Sequence, residues 1–310
     1  MFKRSVMMVI VGIVLLSLGL AVLFLPAAGY KNTKKSDMKL ALIHVEGVIM
    51  GGRGQSGLLV DIGGIDAVIR QLHDARDDES IRAIVLRINS PGGSVPATQE
   101  LGEEIRKVRS AGKPVIVSMG DVAASGGYWL AALADKVYAN PSTITGSIGI
   151  YMPYSNWEEL YRKIGVQPEK IKSGPHKDIL TPERPITPAE RTIIQNMVDD
   201  MYEQFVTVVA EGRNLDPDKV RQIGDGRIYT GKQAKELGLV DELGNLYDAI
   251  DGAAAIAGIQ GKPRLKEYGK RNPWEMLFGG ESSLNWESIL FRQLKIDTPL
   301  TAPLAMPERW

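Results

Sequence analysis

The sequence predicts an α/β fold with a largely parallel sheet. Three observations carry this expectation. Short Val- and Ile-rich runs recur along the first half of the chain, amphipathic helical stretches separate them, and several runs end in glycine-rich turns. Strands joined through helices pair in parallel, and their carboxyl ends then lie side by side at one edge of the sheet. With 310 residues there is room for one large or two modest domains and ample core.

In chain order, Met1 to Arg4 precede an uncharged apolar run from Ser5 to about Leu25. At about 20 residues such a run can cross a hydrocarbon core as a helix. Ala27-Ala28-Gly29 offers a small-residue cleavage site for a removable signal peptide. The run exceeds the roughly 7–15 residues of a signal core, however, so an uncleaved anchor over 1–30 is expected. Lys3 and Arg4 precede it while Lys31, Lys34, Lys35 and Lys39 follow, which leaves its orientation open. Residues 31–38 form a polar linker.

The alternating stretch 39–49, which includes His44, reads as a strand, and 53–64 as a glycine-rich loop. A helix is expected over 65–75, with Ile65, Val68, Ile69 and Leu72 on one face and His73 in the same stretch. A strand over 81–89 runs into Ser-Pro-Gly-Gly-Ser at 90–94. A helix over 97–111 follows, with Leu101, Ile105 and Val108 apolar. The strand at 114–118 leads to the small-residue turn Ala-Ala-Ser-Gly-Gly at 123–127 and a helix beginning near Gly126. A short strand at 136–139, a glycine-punctuated segment at 143–151 and a helix at 155–164 come next. Thr187-Pro188-Ala-Glu190 combines a cap, Pro at the first helical position and Glu at the third, and starts a helix running to about Glu211. A second capped helix follows Thr230. Past Gly261 the composition shifts to scattered Pro and Trp, with one apolar helical pattern over 284–296. The domain expected is therefore 39–261, with a tail over 262–310.

Composition excludes several chemistries. Thirty-seven basic residues balance 37 acidic ones, so a general electrostatic field for nucleic acid is lacking. There is no cysteine, hence no disulfide, thiol nucleophile or thiolate metal site. The histidines are only three: His44, His73 and His176. The first two fall in strand and helix patterns, which leaves few candidates for a Ser-His-Asp triad or a histidine metal site. The run from Gly226 to Lys232 nearly matches a phosphate loop, but Gln233 stands where Ser or Thr would hold magnesium. Nucleotide binding is rejected.

Ser125 sits between a strand and a helix start, where backbone N–H groups lack intrahelical partners. That suits a nucleophile beside an oxyanion site, and it equally suits a serine N-cap followed by packing glycines. Ser-Pro-Gly-Gly ends another strand, and its glycines permit close backbone approach or an ordinary turn. If Ser125 is the nucleophile, lysine is the next base after histidine. Its reference pKa of about 10.4 has to fall to roughly 7–8 for that role. Lys177 follows the turn Ser173-Gly-Pro, with Asp178 beside it; a plain surface turn reads the same way.

Together, Ser-Pro-Gly-Gly (90–93), Ala-Ala-Ser-Gly-Gly-Tyr (123–128), Thr-Gly-Ser-Ile-Gly (145–149) and Ser-Gly-Pro-His-Lys-Asp-Ile (173–179) resemble the signal peptide peptidase A family. The match covers about residues 40–260 and follows the short, single-domain form. The resemblance implies the ClpP/crotonase fold of repeated ββα units behind an N-terminal transmembrane helix. It also implies a serine endopeptidase that uses a Ser-Lys dyad and no metal or cofactor. On that basis Ser125 is the nucleophile, Lys177 the general base and Ser147 the residue that orients the lysine. Gly92 and Gly126 supply the oxyanion-hole amides. Implied partners are signal peptides and other apolar peptides, the lipid membrane, and further copies of the chain in a homo-oligomer that shares its active sites. The catalytic domain would lie outside the cytoplasm on a single-pass anchor. The alternatives are a vestigial membrane scaffold of this fold and an acyl-CoA hydratase or isomerase.

Overall fold

The computed structural model describes residues 38–52, 55–56, 61–62 and 64–269. The anchor expected over 1–30, the linker up to Asp37 and the tail beyond 269 lie outside the described residues. Among the described residues no helix is long and apolar enough to cross a membrane.

The first strand, β1 (Lys39–Glu46), leads to β2 (Gln55–Ser56) and β3 (Asp61–Ile62), which pair antiparallel within the expected loop. There follow α1 (Ile65–Asp77), β4 (Ile81–Ser90), α2 (Val95–Ser110), β5 (Val115–Ala124), α3 (Gly126–Ala132), β6 (Lys136–Ala139) and β7 (Ile144–Gly146). The remaining elements are α4 (Glu158–Lys163), α5 (Pro188–Arg213), α6 (Pro217–Ile223), β8 (Ile228–Thr230), α7 (Gly231–Glu236), β9 (Glu242–Leu243), α8 (Leu246–Ile256) and β10 (Arg264–Glu267). The main sheet runs β10-β1-β4-β5-β6-β9, with every neighbouring pair on this path parallel. β7 adds to the end of β5 in parallel, and β8 closes on β7 antiparallel. β10 pairs with β1, so the sheet extends to Glu267, beyond the domain boundary expected at 261.

The period-2 geometry of a strand divides the core between two helical layers. Ala41, Ile43 and Val45 of β1 face one layer with Leu72 of α1, Leu101 of α2 and Leu130 of α3. Leu40 and Leu42 face the other, with Ala249, Ile250 and Ala253 of α8. Removing each such Leu or Ile from water contributes about 1.5–3 kcal/mol. The helix caps follow the sequence. Thr187 and Glu190 form a capping box on α5, and Thr230 forms one with Gln233 on α7. Gln233, which breaks the phosphate-loop pattern, thus closes a helix end.

The feature that places the site is a bend in β5. Its pairing with β4 shifts register between Ile88 and Ser90. Asn89 Oδ1 accepts the amides of Asp121 at 3.1 Å and Val122 at 3.2 Å, satisfying backbone that the ladder leaves open. The Thr143 hydroxyl donates to the Gly120 carbonyl at 2.7 Å, and that of Thr145 to the Ala123 carbonyl at 2.6 Å. β5 thereby leaves β6 and pairs its last residues, Val122 to Ala124, with β7.

α5 crosses the end of α3 at Gly212, where an added Cβ would stand 2.0 Å from the Ala132 carbonyl oxygen. Gly212→Ala should cost about 1–3 kcal/mol through overpacking. A urea midpoint that stays at the wild-type value would show that the two helices separate freely.

Candidate active site

Ser125 joins β5 to α3 with φ 52° and ψ −121°, a left-handed backbone conformation that side chains other than glycine rarely adopt. Such strain persists only where the surroundings over-determine it. Here the Ser125 amide donates to the Gly146 carbonyl at 2.8 Å, and the Trp129 amide donates to the Ser125 carbonyl at 2.9 Å. Tyr128 is fully buried on α3, and its hydroxyl donates to the Leu239 carbonyl at 3.0 Å. Ser125 occupies the N-cap position of α3, yet its side chain makes no capping bond. A capping serine adopts extended backbone and accepts from the second or third helical amide. Ser125 does neither, so its hydroxyl is left for other work.

The neighbouring glycines are required by contact. A Cβ on Gly92, whose φ is +99°, would lie 2.7 Å from the Gly126 nitrogen and 2.8 Å from Ser125 Cβ. One on Gly126 would lie 2.6 Å from Thr98 Oγ1, and one on Gly127 would lie 2.8 Å from the Ser90 carbonyl oxygen. The Gly126 amide is at the first helical position, without an intrahelical acceptor. The Gly92 amide, expected as the second oxyanion donor, donates instead to Ser90 Oγ at 3.1 Å. Its neighbour Gly93 bridges Ile49: the Ile49 amide donates to the Gly92 carbonyl at 2.9 Å and the Ser94 amide to the Ile49 carbonyl at 2.8 Å. In that parallel pairing, the amide of Gly93 points away from Ile49, toward the β5 side where Ser125 lies. Gly92 therefore shapes the approach, and Gly93 has the amide turned to the cavity.

That cavity, about 630 Å³, is lined by Ser125, Ser147 and Gly93, with walls from Val48, Met50, Ile150 and Tyr151. Ser147 follows β7, also at a positive φ of 52°, and its amide donates to the Arg227 carbonyl at 2.8 Å. Antiparallel pairing of β7 with β8 holds it there. Among the described residues the charged one in the lining is Asp225, whose carboxyl is held below the usual range mainly by the Arg227 side chain. Among the described residues no histidine lines this cavity; His73 is bonded to Glu104 at 2.6 Å.

Lys177 does not line the cavity of its own chain. It lies exposed in the segment between α4 and α5, and its amide donates to the Gly174 carbonyl at 3.3 Å. An ion-pair lattice organises this segment. Asp178 Oδ1 receives Lys172 Nζ at 2.8 Å and Arg184 Nη2 at 2.7 Å, while Arg184 Nε reaches Oδ2 at 3.1 Å. The other edge of the Arg184 guanidinium binds Glu190 Oε2 at 2.8 Å and Oε1 at 2.6 Å. Arg184 first, and then Lys172, hold the Asp178 carboxyl well below its ordinary range. Arg184 and the Thr187 amide do the same for Glu190. Sequence reasoning missed Asn89 and Thr98, whose contacts at the site are remote in sequence, and Arg184, whose partners lie six residues away along an irregular segment. It did not separate Gly93 from Gly92, which differ in the direction of their backbone.

Residues 107–260 match the model of Peptidase family S49. The chain is 41% identical over 221 residues to "Protease 4" of Salmonella typhi, covering 71% of this chain and 35% of that protein. It is 41% identical over 248 residues to "Putative protease slr0021" of Synechocystis sp., covering 79% of this chain and 85% of the relative. It is also 37% identical over 217 residues to "Putative signal peptide peptidase SppA" of Enterococcus faecium, covering 70% and 63%. The chain thus spans about a third of the Salmonella protein and most of the Synechocystis one.

Two pH and contact effects follow. Both lattice carboxyls have lowered folded-state pKa values, so their contribution is present above the unfolded carboxylate range and is lost as pH falls below it. Between about pH 5 and pH 2, amide exchange over 167–190 should accelerate before exchange in β4 and β5; simultaneous loss of protection would contradict this. Gly92→Ala should push Ser125 and Gly126 apart and lower labelling by a serine-reactive phosphonate about 10²-fold or more. Wild-type labelling would show that the contact is not required.

Proposed function

The chain belongs to peptidase family S49, and we propose that it is a serine endopeptidase acting on apolar peptides through Ser125 and Lys177. The observation that carries this reading is Ser125 itself: a strained residue with an uncapped hydroxyl, facing an apolar cavity beside an unbonded helix-terminal amide. A packing cap has no need of that conformation.

Among the described residues the cavity of one chain holds no lysine or histidine, and its carboxylate, Asp225, is paired with Arg227. Lys177 lies elsewhere on an arm with an exposed apolar surface. α4 buries none of its residues, and Trp157, Leu160, Ile164, Val166 and Ile171 are all exposed around it. A helix with no buried face has little to hold it unless another surface covers it. We infer that a second copy of the chain provides that cover. Its arm then delivers Lys177 to the neighbouring Ser125, with Ser147 orienting the amine.

In the reaction, neutral Lys177 accepts the Ser125 proton as Oγ attacks the peptide carbonyl carbon. The amides of Gly126 and Gly93 receive the developing oxyanion, with Gly92 keeping their approach open. The lysine ammonium passes its proton to the leaving amine as the C–N bond breaks, leaving an acyl-serine. Water then gives a proton to the lysine as it attacks the ester. Collapse releases the carboxyl product and returns the proton to Ser125. The walls of Val48, Met50 and Ile150 suit apolar side chains, which agrees with signal peptides left in the membrane as substrates. The apolar run near the amino terminus would anchor the chain, with the catalytic domain outside the cytoplasm.

Ser125→Ala and Lys177→Ala should each lower kcat on a fluorogenic apolar peptide by about 10³-fold or more while the unfolding transition persists. Wild-type turnover in either variant would remove that residue from the mechanism. Thioester turnover that survives in Ser125→Ala would favour the acyl-CoA reading.

A further inference from the structure

Lys177 is followed directly by an acid, and within one segment a free Asp178 would be the natural partner of its ammonium. The structure shows the carboxylate otherwise engaged. Arg184 grips both oxygens of Asp178 through Nε and Nη2, and Lys172 adds a second cation on Oδ1. Arg184 is fixed in turn by Glu190, which is buried at the start of α5, and by the Tyr154 hydroxyl on its carbonyl. His176, on the other side of Lys177, turns to Glu190, with Nδ1 at 3.6 Å from Oε1. Glu183 is taken by Lys170. The acids around this turn, Asp178, Glu183 and Glu190, therefore all have cationic partners, and among the described residues Lys177 Nζ has no hydrogen-bond or ion-pair partner.

We propose that Arg184, assisted by Lys172, is a positioning residue that sequesters Asp178 and so keeps Lys177 free of a neighbouring carboxylate. This rests on Lys177 being the base. A base must shed its proton to take one from Ser125, and an adjacent carboxylate favours the protonated form. An arginine fork suits the task because its planar donors match both carboxylate oxygens and it does not titrate in the working range. Lys172 alone reaches one oxygen only.

The test is the pH dependence of kcat/KM in the full chain. Freeing Asp178 with Arg184→Gln plus Lys172→Gln should move the acid limb of the profile upward by about one pH unit or more. Adding Asp178→Asn to that variant should return the limb to its wild-type position. A merely structural role predicts a lower rate at every pH with the limb unmoved, and that result would overturn the proposal, as would failure of Asp178→Asn to restore the limb. If the double variant does not fold, Arg184→Lys, which retains a cation but not the fork, carries the same test with a smaller shift in the same direction. Lys177→Ala separates the two ideas. Turnover that survives in it defeats the lysine base itself, whereas an inactive Lys177→Ala beside an unmoved limb defeats only the role of Arg184.

Discussion

The structure depends on holding one serine where a serine does not settle unaided. A left-handed Ser125 costs on the order of 1–3 kcal/mol, and its restraint is built from both sides. The bend in β5 sets the incoming direction through Asn89 and Thr143, and the buried helix α3 fixes the outgoing one. Gly92 closes the remaining space, at a distance no side chain would allow. Register in the parallel sheet, the choice of glycines at three turns and the burial of Tyr128 serve this local geometry. The sheet is thus a frame that brings the ends of β4, β5 and β7 together around one hydroxyl.

The arm that carries Lys177 follows a different physics. Apolar burial stabilises the sheet and its helices, whereas the segment between α4 and α5 is organised by paired charges and leaves several large apolar side chains in water. Ion pairs near the surface contribute little to global stability. They do fix direction, because an arginine fork accepts a carboxylate in few orientations. A closely packed frame for the nucleophile and a charge-laced arm for the base are a natural division if the two meet across an interface, where the exposed apolar faces become buried.

Much of this is legible in the sequence, and what is not has definable physical causes. The strand-turn-helix at Ser125 stands out because apolar runs flank five small residues, and the capping boxes at Thr187 and Thr230 are visible as spaced residue types. β5 is longer than the run at 114–118, since Gly120 and Asp121 interrupt the apolar pattern while Asn89 and Thr143 satisfy the bend from elsewhere. The distinction between Gly92 and Gly93 lies in which edge of the backbone pairs with Ile49, and two adjacent identical residues carry no sign of it. The lattice around Arg184 joins residues six apart along an irregular segment, so no helical or strand period announces it. The strand β10 was hidden because Arg264 to Glu267 is mostly polar, as befits a sheet edge.

The central claim is that a complete site needs the serine of one chain and the lysine of another. Co-expression of Ser125→Ala with Lys177→Ala, followed by assay of the joint assembly, measures this directly. Each variant alone is inactive in this account, and the mixed assembly regains turnover, because some interfaces join an intact Ser125 to an intact Lys177. A mixed assembly that forms yet stays as inactive as its parents would contradict the account and place both groups within a single chain.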